Sequence, residues 1–88
     1  MKGSLLLAEM SPTIFRVGRF RFFFFSREEE RLHEHVETTD GEAKFWLEPD
    51  PEIARNHRLS EKDLRLAWRL ILEHEKEIRD AWHRHFSS

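Results

Sequence analysis

The chain has no cysteine, only three glycines and three prolines, and no long hydrophobic run. The lack of cysteine excludes disulfides, thiolate metal sites and cysteine nucleophiles, and it fits a reducing compartment. With so few glycines, the sequence has neither a glycine-rich phosphate loop nor a nucleophile elbow. No stretch approaches the roughly 20 apolar residues that span a bilayer, and the short run Leu5–Ala8 is no signal-peptide core. We therefore expect a cytoplasmic protein that does not enter the membrane.

Charge of neither sign dominates the sequence. Lys and Arg number 15 and Asp and Glu number 17, so the formal net charge is −2. A general nucleic-acid binder relies on excess positive charge, so RNA stays open as a partner but is not favoured. The 88 residues suffice for one domain. Eight Phe and three Trp supply the apolar area that so short a chain needs for a compact core.

The first half of the chain shows the aromatic and β-branched patterns of a hairpin. Strands are predicted at Thr13–Val17 and Phe20–Phe25. Gly18 between them suits the first central position of a two-residue type II′ turn. This register places Arg16 opposite Arg21. Residues 1–9 precede the pattern and are expected to be a disordered N-terminal extension, with a single domain at 10–88.

A second hairpin is predicted around Asp40-Gly41, a strong type I′ turn signal. Its strands are Leu32–Thr39 and Glu42–Glu48, whose residues alternate between apolar and polar. A two-residue turn at this position would place His33 opposite Glu48 and His35 opposite Trp46.

The second half of the chain predicts a helix. Pro49-Asp50-Pro51 is expected to end the sheet, and Glu52–Arg58 to form a short helical turn. Ser60 is a good N-cap for a helix that runs from Glu61 to about Arg84. Its apolar stripe consists of Leu64, Leu66, Trp68, Leu70, Ile71, Leu72, Ile78 and Trp82.

Together these elements predict an α+β fold. An antiparallel sheet of about four strands, built from two β-hairpins, would be covered by the long C-terminal helix. Such a helix extends roughly 36 Å, whereas a strand spans only ~17–20 Å. The helix end should therefore project beyond the sheet and expose Trp82 and Phe86 to a partner or to a second copy.

Arg16 and Arg21 form the first group that folding does not require. Like charges directly opposite each other destabilise a sheet. Either acidic residues such as Glu37 compensate them, or an external anion such as phosphate does. Arg19 in the turn adds a third positive charge nearby.

His33-Glu34-His35 is the second group. Two residues separated by one share a face of a strand, so both imidazoles should lie together. With Glu48 they could bind a divalent metal, and without it they could act as a general acid–base pair. A solvated polar face with His35 resting on Trp46 is the third interpretation. No cofactor is predicted.

Three segments, MSPTIFRVGRFRFFFFS, HEHVETTDGEAKFWLEP and IRDAWHRHF, resemble the small bacterial family catalogued as domain of unknown function forty-one sixty. The resemblance spans Met10 to the C-terminus. Arg31-Leu32 departs from the Pro-rich lead that the family usually has before its His-x-His. The motif residues that match are His33, His35, Gly41, Ala43, Lys44, Phe45, Arg55, Asn56 and Trp82.

The resemblance implies a setting, because members look like products of paired small genes in the manner of toxin–antitoxin modules. The leading hypothesis is a component that binds a small protein partner encoded nearby, through Trp46, Trp82 and Phe86. A homodimer also stays open. The alternatives are a ribonuclease-like toxin, with His33 and His35 as catalytic groups, and a metal-binding regulator. The ligand-binding candidates are Arg16, Arg21, Lys44, Arg55 and Asn56.

Overall fold

The computed structural model of the chain describes residues 13–24 and 31–86, and only the backbone of Phe86. It confirms an α+β fold. Five antiparallel strands lie side by side in chain order, namely β1 (Thr13–Val17), β2 (Phe20–Phe23), β3 (His33–Glu37), β4 (Glu42–Trp46) and β5 (Glu52–His57). The helices α1 (Glu61–Glu73) and α2 (Glu75–Phe86) follow. The extension predicted at residues 1–9 lies outside the described residues.

The first hairpin agrees with the prediction next to its turn, whereas an irregularity between Thr13 and Phe15 shifts the register at the far end, so that Thr13 faces Phe23. Arg16 faces Arg21, and Val17 faces Phe20. Gly18 has a φ of 56°, whereas the φ of Arg19 is not positive. This combination is the one a type II′ turn requires. The strand predicted at Phe20–Phe25 ends at Phe23, and Phe25 lies outside the described residues.

The predicted register of the second hairpin is wrong. His33 faces Trp46, His35 faces Lys44, and Glu37 faces Glu42. The strands are joined by four residues, 38–41, and the Thr38 N–H donates to the Gly41 carbonyl at 2.9 Å. Because the register differs by two residues, each side chain keeps its predicted face and only its opposite neighbour changes.

Glycine is required at position 41 because a larger side chain would not fit, and not because the backbone angle φ demands it. Its φ is not positive, as a type I′ turn would demand. A Cβ at Gly41 would overlap the carbonyl oxygen of His57 and lie 2.7 Å from the Cβ of Arg58. The end of β5 therefore crosses the hairpin loop at close range, which only glycine permits.

The predicted helical turn at Glu52–Arg58 is also wrong, because this segment forms β5. The prolines end β4, yet the chain returns and pairs with it, placing Arg55 opposite Lys44 and Ile53 opposite Phe45. This pairing satisfies the backbone groups that β4 would otherwise present at an edge.

The C-terminal helix is divided at His74. The His74 N–H donates to the carbonyls of both Leu70 and Ile71, and its ring stacks on Phe15 at 4.2 Å between centroids. Beyond this position, Trp82 of α2 packs on Phe24 at 5.3 Å between centroids. The predicted projecting end is therefore wrong for Trp82, which is buried. No helix in the described ranges is long and apolar enough to cross a membrane.

The core lies between the helices and one face of the sheet. Its buried members include Phe20, Phe22, Phe24, Phe45, Ile71, Ile78 and Trp82. Ser60 caps α1 as predicted, since its hydroxyl accepts from the Asp63 N–H at 3.1 Å. Leu72 was expected in the stripe but points to solvent, with 44% of its surface exposed. The sheet face opposite the helices is called the outer face below.

Candidate functional site

The outer face gathers most of the residues that the sequence singled out. Strand alternation and the observed pairing place a charged or aromatic side chain there from every strand. The predicted site residues on this face are Arg16, Arg21, His33, His35, Lys44, Trp46 and Arg55. Phe23, His35 and Lys44, in its middle row, are buried.

Arg21 is held inside the fold. Its Nε donates to Thr13 Oγ1 at 2.6 Å, and its Nη1 donates to Glu37 Oε2 at 3.1 Å. The guanidinium also lies over the Phe23 ring, 4.3 Å from its centroid. Glu37 therefore compensates the like-charged pair from the neighbouring strand.

Arg16 differs from Arg21. It is exposed, and it forms no hydrogen bond or ion pair within residues 13–24 and 31–86. Arg19 belongs to the scaffold, because its Nη2 lies 2.6 Å from both carboxylate oxygens of Asp63. Of Arg16, Arg19 and Arg21, only Arg16 forms no hydrogen bond or ion pair with the described residues.

His33 and His35 are both buried, and their ring centroids are 5.1 Å apart. His33 Nδ1 lies 2.7 Å from the carbonyl oxygen of Arg31. A carbonyl can only accept a hydrogen bond, so this contact places a proton on Nδ1. His33, and not His35, packs on Trp46, at 5.7 Å between centroids. His35 stacks on Phe23 at 5.2 Å.

The predicted metal ligands His33, His35 and Glu48 do not come together in the structure. Trp46 takes the place opposite His33 where Glu48 was expected. Glu48 Oε1 instead accepts from Arg79 Nη1 at 2.7 Å. In the part of the chain that the structure describes, no three His, Cys, Asp or Glu side chains form a metal-binding group.

Trp46 is flanked by two cations. The Arg31 guanidinium lies 4.1 Å and the Lys44 ammonium 4.4 Å from the centroid of its ring. Arg31 is exposed and is held in place by the Glu48 carbonyl, which accepts from Nε at 2.7 Å, and by Glu52. We call Arg31, Lys44 and Trp46 the Trp46 cluster. Cations over an indole face are attracted by its electron density.

Glu34 is a candidate that the sequence reasoning missed. It lies on the helix-covered face of β3, fully buried and opposite Phe45. Neither of its carboxylate oxygens has a hydrogen-bond partner among the described residues. Burial raises the pKa of Glu34 well above its ordinary value of 4.5. The nearby backbone N–H of His35 opposes this rise without reaching hydrogen-bond geometry, and the charge of Glu77 adds to it.

The signal for Glu34 was present in the sequence. Leu32, Glu34 and Val36 alternate along one face of the strand, so the carboxyl had to point into the apolar side. Perturbed carboxyl groups of this kind are frequent in functional sites, although they also occur as structural features.

The remaining predicted residues are distributed differently. Asn56 stabilises the adjacent backbone. Its side-chain Nδ2 donates to the Leu59 carbonyl at 2.9 Å, and its Oδ1 accepts from the Leu59 N–H at 3.1 Å. Arg55 is exposed and makes no hydrogen bond or ion pair within the described ranges. Trp82 packs on Phe24 and His33 inside the protein. The side chain of Phe86 lies outside the described residues.

These observations define a small α+β protein whose sheet is covered by helices on one face and carries cations and aromatics on the other. The family model described as Domain of unknown function (DUF4160) matches residues 19–83. The match covers well over half of the chain, so the protein belongs to this family, as the resemblance indicated. No curated protein and no solved structure matches the chain.

Proposed function

We propose that this chain is the partner-binding component of a toxin–antitoxin-like gene pair, and that a small acidic protein docks on its outer face at the Trp46 cluster. The proposal keeps the partner-binding hypothesis and, of its predicted contact residues, Trp46. Trp82 serves the core, whereas Trp46 is only half-buried.

The Trp46 cluster supports this proposal most directly. The partly buried indole lies beside the exposed Arg31 guanidinium, so this surface combines apolar area with positive charge. Trp and Arg are enriched among the residues that dominate interface energetics. Arg55, opposite Lys44, adds an exposed cation next to the cluster. A partner that presents carboxylates around an apolar contact would complement this arrangement.

The test is co-purification and titration of the full chain with the product of the adjacent gene. Arg31→Glu reverses one exposed charge of the cluster and should weaken binding about tenfold or more, equivalent to ~1.4 kcal/mol. Arg65→Glu is the matched control, because Arg65 is an exposed arginine on α1, remote in sequence from the cluster. Equal loss in both variants, or no complex with the wild-type chain, would refute the proposal.

A ribonuclease-like toxin is the second candidate. Its support is that the rings of His33 and His35 are in contact on the face that also carries the exposed Arg16, although both imidazoles are buried. Growth arrest after induced expression, relieved by the neighbouring gene, is the expected behaviour. Replacing His35 by Gln should abolish the arrest in a folded protein, whereas a partner-binding component would keep its partner.

A metal-binding regulator is the remaining hypothesis. His33 and His35 would have to recruit a ligand other than Glu48, which is bonded to Arg79. Saturating zinc or manganese should then raise the unfolding temperature, because a ligand that binds only the folded state stabilises it. An unchanged unfolding temperature would eliminate this hypothesis.

A further inference from the structure

β5 is the exposed edge of the sheet. All six of its residues are exposed, and within the described ranges it pairs with β4 alone. β1, at the opposite edge, is partly buried, and its Phe15 stacks on His74. An edge strand presents a row of backbone N–H and C=O groups that can pair with another strand.

A bulge arranges the side chains of this edge. Arg55 faces Lys44 and Ile53 faces Phe45, so Ala54 is the extra residue between two consecutive partners. As a result Glu52 and Arg55, three positions apart, both lie on the outer face. In a regular strand they would point to opposite faces.

The four residues from Glu52 to Arg55 are complementary to themselves. When two copies run antiparallel, Glu52 of each copy lies opposite Arg55 of the other. Likewise, Ile53 of each copy lies opposite Ala54 of the other. Opposite charges directly across a pair of strands are favourable, and the apolar residues meet at the centre.

We propose that β5 pairs with β5 of a second copy of this chain about a two-fold axis, with reciprocal Glu52–Arg55 ion pairs. Such an interface is isologous, the commonest arrangement in homodimers. It joins the two sheets into one of ten strands.

Two further observations favour a second copy. Ile53, 49% exposed, is one of two large exposed hydrophobic residues among the described side chains, and it would be covered at the two-fold axis. Arg55 forms no ion pair within residues 13–24 and 31–86, so a carboxylate from outside would be its first. The inference goes beyond the proposed function and shares with it Arg55 and the contact between Arg31 and Glu52.

Sedimentation equilibrium of the full chain across a concentration series tests the proposal. The wild type should form a concentration-dependent dimer. Arg55→Glu places two carboxylates opposite each other and should weaken the dimer about tenfold or more. Adding Glu52→Arg restores opposite charges in the same register and should recover most of the affinity, despite the loss of the exposed Arg31–Glu52 contact.

Matched controls separate the edge from general effects of charge. Arg65→Glu, alone and with Glu61→Arg, makes the same exchanges on the exposed surface of α1 and should leave the dimer unchanged. Ile53→Lys should dissociate it, whereas Leu72→Lys, at a similarly exposed site, should not. A wild type that is monomeric throughout would overturn the proposal. A double variant no better than Arg55→Glu would do so too, and so would a dimer indifferent to Ile53→Lys.

Discussion

Arg19 and Asp63 join the turn of the first hairpin to the first turn of α1. The Arg19 Nη2 lies 2.6 Å from both carboxylate oxygens of Asp63, which is buried. A second, longer contact of 3.4 Å joins Arg19 to Asp40 in the next hairpin loop. One side chain thus connects three segments that are distant in sequence.

Arg19→Ala should lower the free energy of unfolding by about 1–3 kcal/mol, because it removes a charge-assisted bond from a buried carboxylate. Urea denaturation measures this loss. Arg16→Ala is the control, since Arg16 is exposed and should change stability by less than about 0.5 kcal/mol. A double cycle with Asp63→Asn should show coupling, and additive effects would contradict the assigned contact.

Glu34 makes stability depend on pH. The pKa of the folded protein's Glu34 is raised by burial above the ordinary 4.5. The unfolded chain therefore releases this proton first as pH rises. Stability is then lost from about pH 4.5 upward, until the folded pKa is reached, at about 1.4 kcal/mol per unit of difference.

Glu34→Gln keeps the shape of the neutral acid and removes its titration. The variant should match the wild type near pH 4 and become progressively more stable than it toward pH 8. Unfolding curves at several pH values check this. A constant difference between the two proteins across the range would show that Glu34 does not titrate differently in the folded state.

Gly41→Ala should destabilise the protein by about 2–4 kcal/mol, because the added methyl group overlaps the His57 carbonyl oxygen. Gly18→Ala is the comparison. Its Cβ would meet no atom within 4 Å, so its cost should be the ~1–2 kcal/mol of a left-handed backbone angle. Thermal unfolding should rank Gly41→Ala as the more severe change, and the reverse order would contradict the close approach.

Asn56→Ala should cost about 1–2 kcal/mol, because it leaves the N–H and carbonyl groups of the buried Leu59 without their side-chain partner. Arg55→Ala, one residue earlier on the same exposed strand, is the control and should be nearly neutral for the stability of the folded protomer. Similar losses in the two variants would assign the effect to the strand and not to the Asn56 bonds.

Local signals predicted what depends on neighbours in sequence. The first hairpin followed from alternation and from Gly18, and the start of α1 followed from Ser60. Alternation also assigned the faces of β3 and β4 correctly despite the wrong register. Side chains of a strand alternate between faces with a period of two residues, so a register shift of two residues does not change their faces. His33 and His35 therefore share a face in either register.

Long-range packing decided the rest. Glycine at position 41 signalled a turn, but its cause is the distant crossing of His57 and Arg58. Residues 52–57 form a strand because they pair with the free edge of β4. The sequence of these six residues alone does not indicate that such an edge is available.

The sequence by itself determined the fold class, the first hairpin and the shared face of the two histidines, because these follow from periodicity along the chain. Only the tertiary structure decided that Trp82 is buried, that Glu34 is enclosed without a hydrogen-bond partner among the described residues, and that Arg31 covers Trp46. Those properties depend on which surfaces the helices cover. α2 contributes to that coverage, since its Trp82 packs on Phe24 and His33.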